Sequence, residues 1–353
     1  MDTPPVTMRQ VAREAGVSLS TVSLALRHDP RLAVATVRRV CEAAERLGYR
    51  PDPTVNALMA RLRTHGETGS HGTFALLNAT PFARLEADDA PAWFHTFAAF
   101  SRGIRRRAAA LGYGADEFWL RAPGLTPARL AGVLHARGIR GVLLVGFGGG
   151  ARPAEEWAEA WAGREVVAVG APVGESVLAF AANDQFETTR LAVRQAWARG
   201  YRRPGLALHA HIEDLVHHRF AGGFYAALEE TPGVTRLPVL ALHGAEDFTA
   251  TAGEWYRRHR PDVVLTHETA WLELLRGGLG VRVPEEAGLV HLDLPPGGED
   301  WAGVAQDSAE VGAAAADLLA LRLHRQELGE PPTAPRLLLP GRWVDGPTLG
   351  RLR

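Results

Sequence analysis

"VAREAGVSLSTVSLAL", residues 11–26, sets a glycine between two short runs of small apolar and hydroxyl-bearing residues. Just ahead of it, Thr7 can cap a first helix, and Gln10 stands three residues on, the spacing of a capping box. Val11, Ala12 and Ala15 then share one face of that helix. Gly16 can adopt the left-handed backbone that stops a helix without steric cost. Val17 can plug a small core, and the Ser18 hydroxyl can take an orphan N–H at the start of a second helix. In that second helix Val22 and Leu26 turn inward, whereas Leu19, Ser20, Ser23 and Leu24 turn outward, with Thr21 beside them. Helix, tight turn, helix is the geometry in which the second helix offers its first turns to base edges in a major groove. Its outer side is polar because it must replace water on phosphates and bases. Thr7, Ser18, Leu19, Ser20, Thr21, Ser23 and Leu24 are therefore the candidate DNA contacts of the head.

A third helix is predicted from Val40, Ala44 and Leu47, closed by Gly48. Cys41 lies on it and reads as a small thiol at the core edge. A three-helix module for protein contacts is the plainer alternative. Charge favours nucleic acid: residues 1–65 carry ten Arg against six Asp and Glu, whereas the remaining 288 carry 29 Arg against 34 acids. A basic head thus precedes an acidic body, and the head suits an anionic partner. The single cysteine excludes an internal disulfide and fits a reducing compartment. With no apolar run of membrane-spanning length and no apolar core in "MDTPPVTMRQ", the sequence is expected to be cytoplasmic, with no membrane partner.

Beyond the head, residues 51–72 open with Pro and turn polar and Gly-rich in "THGETGSHG", which reads as a linker. From residue 73 apolar runs alternate with amphipathic helical patterns. The strands expected are 73–79, 141–146, 166–170, 205–209, 262–266 and 288–292; the helices are 97–111, 186–199, 215–229 and 308–324. Near-continuous apolar strands between helices imply parallel sheets covered on both faces. About 280 residues of this pattern suit two α/β lobes better than one large sheet.

The quoted head, "VTMRQVAREAGVSLSTVSLAL" with "RRVCEAAERLGYRPDP", resembles the start of the LacI family of bacterial transcriptional regulators. The resemblance continues in "ARGYRRPGLAL", "HHRFAGGFYAAL", "VPEEAGLVHLD" and "LLPGRWVDGPT", in the family's order. It implies a helix-turn-helix head at 1–50, a hinge helix and linker at 51–65, and a core of the periplasmic-binding-protein type at 66–353. The lobes of that core are expected at about 73–178 plus 304–330, and 179–303 plus 331–345. Two departures touch the DNA side. Leu24 stands where the family usually has a basic residue, so apolar contact, for example with a thymine methyl, replaces a guanine clamp. Ala33 stands where a Ser usually caps the third helix.

"DPTVNALMARL", residues 52–62, has an Asp cap and Pro53 at the first helical position, yet is too short to be a stable isolated helix. The resemblance puts the minor-groove wedge at Leu58, with Asn56 as a further DNA contact. Two such leucines, one per subunit, would unstack a central base step. Leu58 can equally pack on Val55 or Leu62. Leu58→Ala is expected to lower operator affinity strongly and to spare effector binding, as read by DNA titration and ligand titration of the same variant.

The body offers no catalytic set. "GFGGGARP" lacks the Gly-Lys-Ser/Thr of a phosphate loop, "HETAW" lacks the second His of a metal motif, and His217-His218 are adjacent and expected to be exposed. No enzyme activity, cofactor or metal is expected. A binding cleft fits better, because ligands sit beyond the C-terminal ends of parallel strands. Asp184, His267, Glu268 and Asp293 follow such segments, and Arg219 opens "RFAGGF". The resemblance matches Arg219 and Asp293 to positions where the family grips polar effector groups, though Arg219 can also form a structural ion pair. Trp93, Phe94 and Trp301 could stack on a ligand, and each could equally be core. His267–Glu268 stands where the family commonly has Asn–Asp, which changes the donor pattern and the pH response and opens acidic sugar derivatives beside neutral sugars. The expected function is a homodimeric, sequence-specific regulator of DNA, a repressor, reading a pseudo-palindromic operator under control of a carbohydrate effector. The rival reading is a sugar-binding module without regulatory output.

Overall fold

The computed structural model describes residues 7–26, 32–49, 72–87, 94–147, 151–173, 178–243, 247–295, 297–298, 300–325 and 334–351. The chain divides into two units, Met1–His71 and Gly72–Arg353.

In the first unit, helices α1 (Met8–Ala15), α2 (Leu19–Ala25) and α3 (Val34–Leu47) enclose a core of Val11, Ala12, Ala15, Val22, Ala25, Val40, Ala43 and Ala44. Gly16 ends α1 at φ 63° and Gly48 ends α3 at φ 70°, both in the left-handed region. Val17 and Leu26 pack against the core from its edge. These side chains are small because the helices are short and close together. Ala43, inside this core, was not singled out by the spacing.

Among the described residues the second unit holds two six-stranded sheets. Its elements run β1 (Thr73–Asn78), α4 (His95–Ala110), β2 (Gly114–Trp119), α5 (Pro127–Ala136), β3 (Gly141–Val145), α6 (Ala151–Trp161), β4 (Glu165–Val169) and β5 (Ala179–Asn183). The chain continues through α7 (Gln185–Ala198), β6 (Pro204–His209), α8 (Ala210–Leu215), α9 (Arg219–Glu230), β7 (Leu240–Leu242), α10 (Phe248–His259), β8 (Val263–Thr266) and α11 (Ala270–Glu273), which runs into a π turn. Then follow β9 (Gly288–His291), β10 (Ala302–Ala305), α12 (Ser308–Arg325), β11 (Arg336–Leu339) and β12 (Arg342–Val344). The first sheet is ordered β11-β5-β4-β3-β1-β2, the second β12-β10-β9-β8-β6-β7. Every pairing is parallel except β10 with β12. β3 and β4 are buried at every position, which is why they read as unbroken apolar runs. β2, at the sheet edge, is half-buried throughout and carries Asp116 and Glu117, so no apolar run announced it.

The lobe boundaries differ from those expected. Residues 179–183 form β5 of the first sheet, β11 joins them there, and β10, which includes 304–305, stays in the second. The chain therefore crosses between sheets after Asn183, after Ala305 and after Leu339. These crossings are tied together: the Asp184 N–H donates to the Leu339 carbonyl at 2.8 Å, and the Asn183 amide donates to the Ser308 hydroxyl at 3.2 Å. The helix predicted at 215–229 is broken as well. His217 and His218 sit at φ 52° and 56° between α8 and α9, and both are exposed.

Helices pack close where glycine allows it. A Cβ on Gly103 of α4 would lie 1.8 Å from the Ala309 carbonyl oxygen of α12, and one on Gly312 would lie 2.2 Å from that of Phe100. At the other end of α12, Arg322 donates through Nε to the Glu165 carboxylate of β4 at 2.8 Å, and both side chains are buried.

Candidate functional site

The outward side of α2 is built by its cap. The Thr21 N–H donates to the Ser18 Oγ at 3.1 Å, and the two hydroxyls are 2.8 Å apart. At α1, Gln10 Oε1 accepts from the Thr7 N–H at 2.7 Å and from the Thr7 hydroxyl at 2.9 Å, which holds the exposed Thr7 at the helix start. Leu19 leaves 46% of its surface in water, although the head has few large apolar residues to spare. Thr21 and Leu24 are half-buried on the same helix. Val34, the first residue of α3, is 84% exposed and was not singled out. Its cap, Ala33, makes no side-chain bond, as the missing Ser implies. The side chains of Ser20 and Ser23, and the hinge positions Asn56 and Leu58, lie outside the described residues.

In the core, the ends of β5, β6, β8 and β9 bring a second group together. Asp184 caps α7, accepting from the Glu187 N–H at 3.2 Å, and its Oδ1 also accepts from Arg219 Nη2 at 3.1 Å. Arg219 is thus in the structural ion pair weighed from sequence, yet its Nε is buried with no partner. Phe220, next to it, meets the His267 ring edge-on at 4.6 Å between centroids.

Asp293, two residues beyond β9, reaches the first sheet's lobe. Its Oδ2 accepts from the Thr96 hydroxyl at 2.7 Å, and His95 Nε2 stands 3.6 Å away, both from the start of α4. Its Oδ1 is buried and unpartnered, as is Nδ1 of His267. His267 and His291 rings are 6.1 Å apart. Burial, with His291 second, pushes the His267 imidazole down to about 3; burial likewise lowers His291. Both rings are therefore neutral near pH 7. Glu268 faces His209 at 3.5 Å, and that hydrogen bond holds its carboxyl below the usual range.

Of the aromatic candidates, Trp301 is buried in the second sheet's core with its ring edge-on to His291 at 5.7 Å, and Phe94 is core of the first. Trp93 lies outside the described residues. Sequence reasoning missed His95, Thr96, His209 and His291. His209 and His291 end strands, so the rule that found Asp293 would have found them; no local signal marks His95 and Thr96.

Chemically, this lining offers an acceptor at Asp293, a donor at Arg219 and neutral imidazoles between them, which suits a polyhydroxylated ligand. Among the described residues no group of three His, Cys, Asp or Glu is placed to hold a metal ion. A separate pocket of about 280 Å³ opens beside β7, lined by Leu208, Glu213, His218, Val239 and Leu240 among others. None of the residues above lines it, and Glu213 is engaged there with the Ala221 N–H at 3.0 Å. No helix among the described residues is long and apolar enough to cross a membrane.

A small helical head followed by an α/β core of two mostly parallel sheets defines the fold class: a helix-turn-helix joined to a two-lobed α/β core. Residues 7–52 match the family described as bacterial regulatory proteins, lacI family. Catabolite control protein A of Priestia megaterium is 42% identical over 59 residues, which is 17% of this chain and 18% of that protein's length. The chain thus matches less than a fifth of this curated relative. Over the whole chain the likeness is one of fold. A transcriptional regulator CelR–cellobiose complex is similar at 24% identity, with a TM-score of 0.62 over 97% of this chain and 99% of that one. The lac repressor dimer bound to operator and the anti-inducer ONPF is similar at 19% identity, with a TM-score of 0.57 over 98% and 99%.

Proposed function

We propose that this protein is a sequence-specific DNA-binding transcriptional regulator, a repressor, whose affinity for operator is controlled by a carbohydrate bound between the lobes of its core. The observation that carries the reading is the head: a Ser18-capped second helix that leaves Leu19 in water on a unit whose sequence is of the lacI family. As a homodimer it would set two such helices into successive major grooves of a pseudo-palindrome. The effector part rests on Asp293 Oδ1, His267 Nδ1 and Arg219 Nε, buried polar atoms with no partner. Such atoms cost about 1–3 kcal/mol each when unpaired, which a ligand with hydroxyls would recover. The cellobiose complex of the CelR neighbour supports the carbohydrate class. Effector can act only through different affinities for two arrangements of the core.

The test is fluorescence anisotropy with DNA fragments from upstream of the protein's own gene, beside a thermal-shift panel of mono- and disaccharides. The reading expects retention on one two-fold symmetric site, steep weakening with salt from phosphate contacts, and a change in that affinity on adding a sugar that raises the melting temperature. Sugar binding without DNA affinity would support a binding module with no regulatory output instead.

A further inference from the structure

We propose that the effector is an amine-bearing carbohydrate, its ammonium group seated on Asp293. This rests on the reading of the cleft as a carbohydrate site and specifies which carbohydrate it takes.

The argument is one of charge balance. The described lining carries three carboxylates, Asp184, Glu268 and Asp293, and one guanidinium, Arg219, already 3.1 Å from Asp184. Four imidazoles remain: His95, His209, His267 and His291. His267 and His291 are held neutral by burial. His95 and His209 each stand against a carboxylate, at 3.6 and 3.5 Å. Each cation or imidazole of this lining that is not shut away by burial thus already stands against a carboxylate, and none is left over for an anionic ligand. An anion would enter without a fixed counter-charge, and burying a charge unpaired is costly.

The second observation is geometric. Asp293 Oδ2 is taken by the Thr96 hydroxyl, but Oδ1 is buried and receives no donor. The acceptor that the ligand must satisfy is thus half of a carboxylate, which binds a charged donor more strongly than a neutral hydroxyl. Arg219 Nε supplies the complementary donor for a ring or hydroxyl oxygen. A ligand with hydroxyls around one ammonium meets both demands; a sugar acid can accept from Arg219 but brings a charge of the same sign as Asp293. The His267–Glu268 pair, which in sequence opened acidic sugars, argues against them once His267 is found neutral and Glu268 is held by His209.

The experiment is calorimetric titration of the full chain at pH 7. For glucose, galactose and mannose the probes are the parent sugar, the 2-amino-2-deoxy sugar, its N-acetyl derivative and the uronic acid. A hydrogen bond to a charged group contributes enough that one amino sugar should bind about tenfold or more tightly than its parent. Its N-acetyl derivative, which keeps the nitrogen and loses the charge, should lose that advantage, and the uronic acid should bind most weakly. In Asp293→Asn the amine-to-parent ratio should collapse to roughly twofold or less, on the same scale. The N-acetyl comparison needs only the native protein, so it decides the matter even where the variant does not fold. A parent sugar as tight as its amine, a uronic acid that binds tightest, or a folded Asp293→Asn that keeps the amine preference overturns the assignment. A series in which nothing binds overturns it too, and the wider sugar panel then decides separately whether the cleft takes carbohydrate.

Discussion

Ser18 shows how much one side chain can settle when its partners are near in sequence. Its hydroxyl takes the Thr21 N–H, and with Gly16 at φ 63° it fixes where α1 stops and α2 starts. Replacing an N-cap serine by alanine costs about 1 kcal/mol, and this head has only a small core to absorb the loss. Ser18→Ala should therefore lower the head's unfolding midpoint, followed by circular dichroism on the full chain, and weaken DNA binding; an unchanged anisotropy titration would remove α2 from the DNA surface. Both Ser18 and Gly16 were legible because caps and stops are local. The same holds for Asp184, His267, Glu268 and Asp293, which follow apolar segments visible in the pattern; Arg219 came from the resemblance, because the helix expected there ran unbroken over 215–229. His95 and Thr96 were not legible. They matter because α4 brings them to Asp293, nearly two hundred residues away, and no periodicity records that approach.

At the scale of elements, apolar runs gave the central strands, because β3 and β4 have both faces covered. The edge strands β2, β7, β11 and β12 escaped, being short or half-wet, and with them went the sheet membership of 179–183. Glycines settle what remained hidden, the contact of α4 with α12. Because Gly103 stands against a backbone carbonyl, Gly103→Ala forces the helices apart; overpacking of this kind costs about 1–3 kcal/mol, to be read as a lower urea midpoint of the core. An unaffected midpoint would mean the helices are not in that contact. The same helix is anchored at its far end by Arg322 on Glu165. Arg322→Ala leaves a buried carboxylate without its cation, a loss of about 3–5 kcal/mol. In Arg322→Met, Glu165→Met together, where neither charge remains, most of that loss should return, and equal destabilisation of single and double variants would show that packing, not charge, is what α12 contributes there.

For the molecule as a whole, the buried imidazoles make the stability of the core depend on pH in a definite direction. His267 holds its proton only below about 3 in the folded core, because burial, followed by the neighbouring His291, disfavours its charged form. In the unfolded chain an imidazole titrates near 6.5. Between those values the unfolded chain binds a proton that the folded one does not, so stability is complete above about pH 6.5 and falls as the pH drops below it. His291, lowered by its own burial, acts with the same sign. From pH 7 to 5.5 His267 removes about 1 kcal/mol, and His291 adds to the loss in the same direction. Carboxylates such as Glu268, whose folded value is depressed, add their losses only at lower pH, through their own range. Urea unfolding of the core at pH 7 and at pH 5.5 should show the drop, and His267→Asn should make it smaller by about the 1 kcal/mol that His267 contributes. A sugar that binds the folded core as proposed should raise the midpoint at both pH values when saturating. If the unliganded core is as stable at pH 5.5 as at pH 7, these rings are not shut away from solvent, and the lining described for the cleft is wrong at its centre.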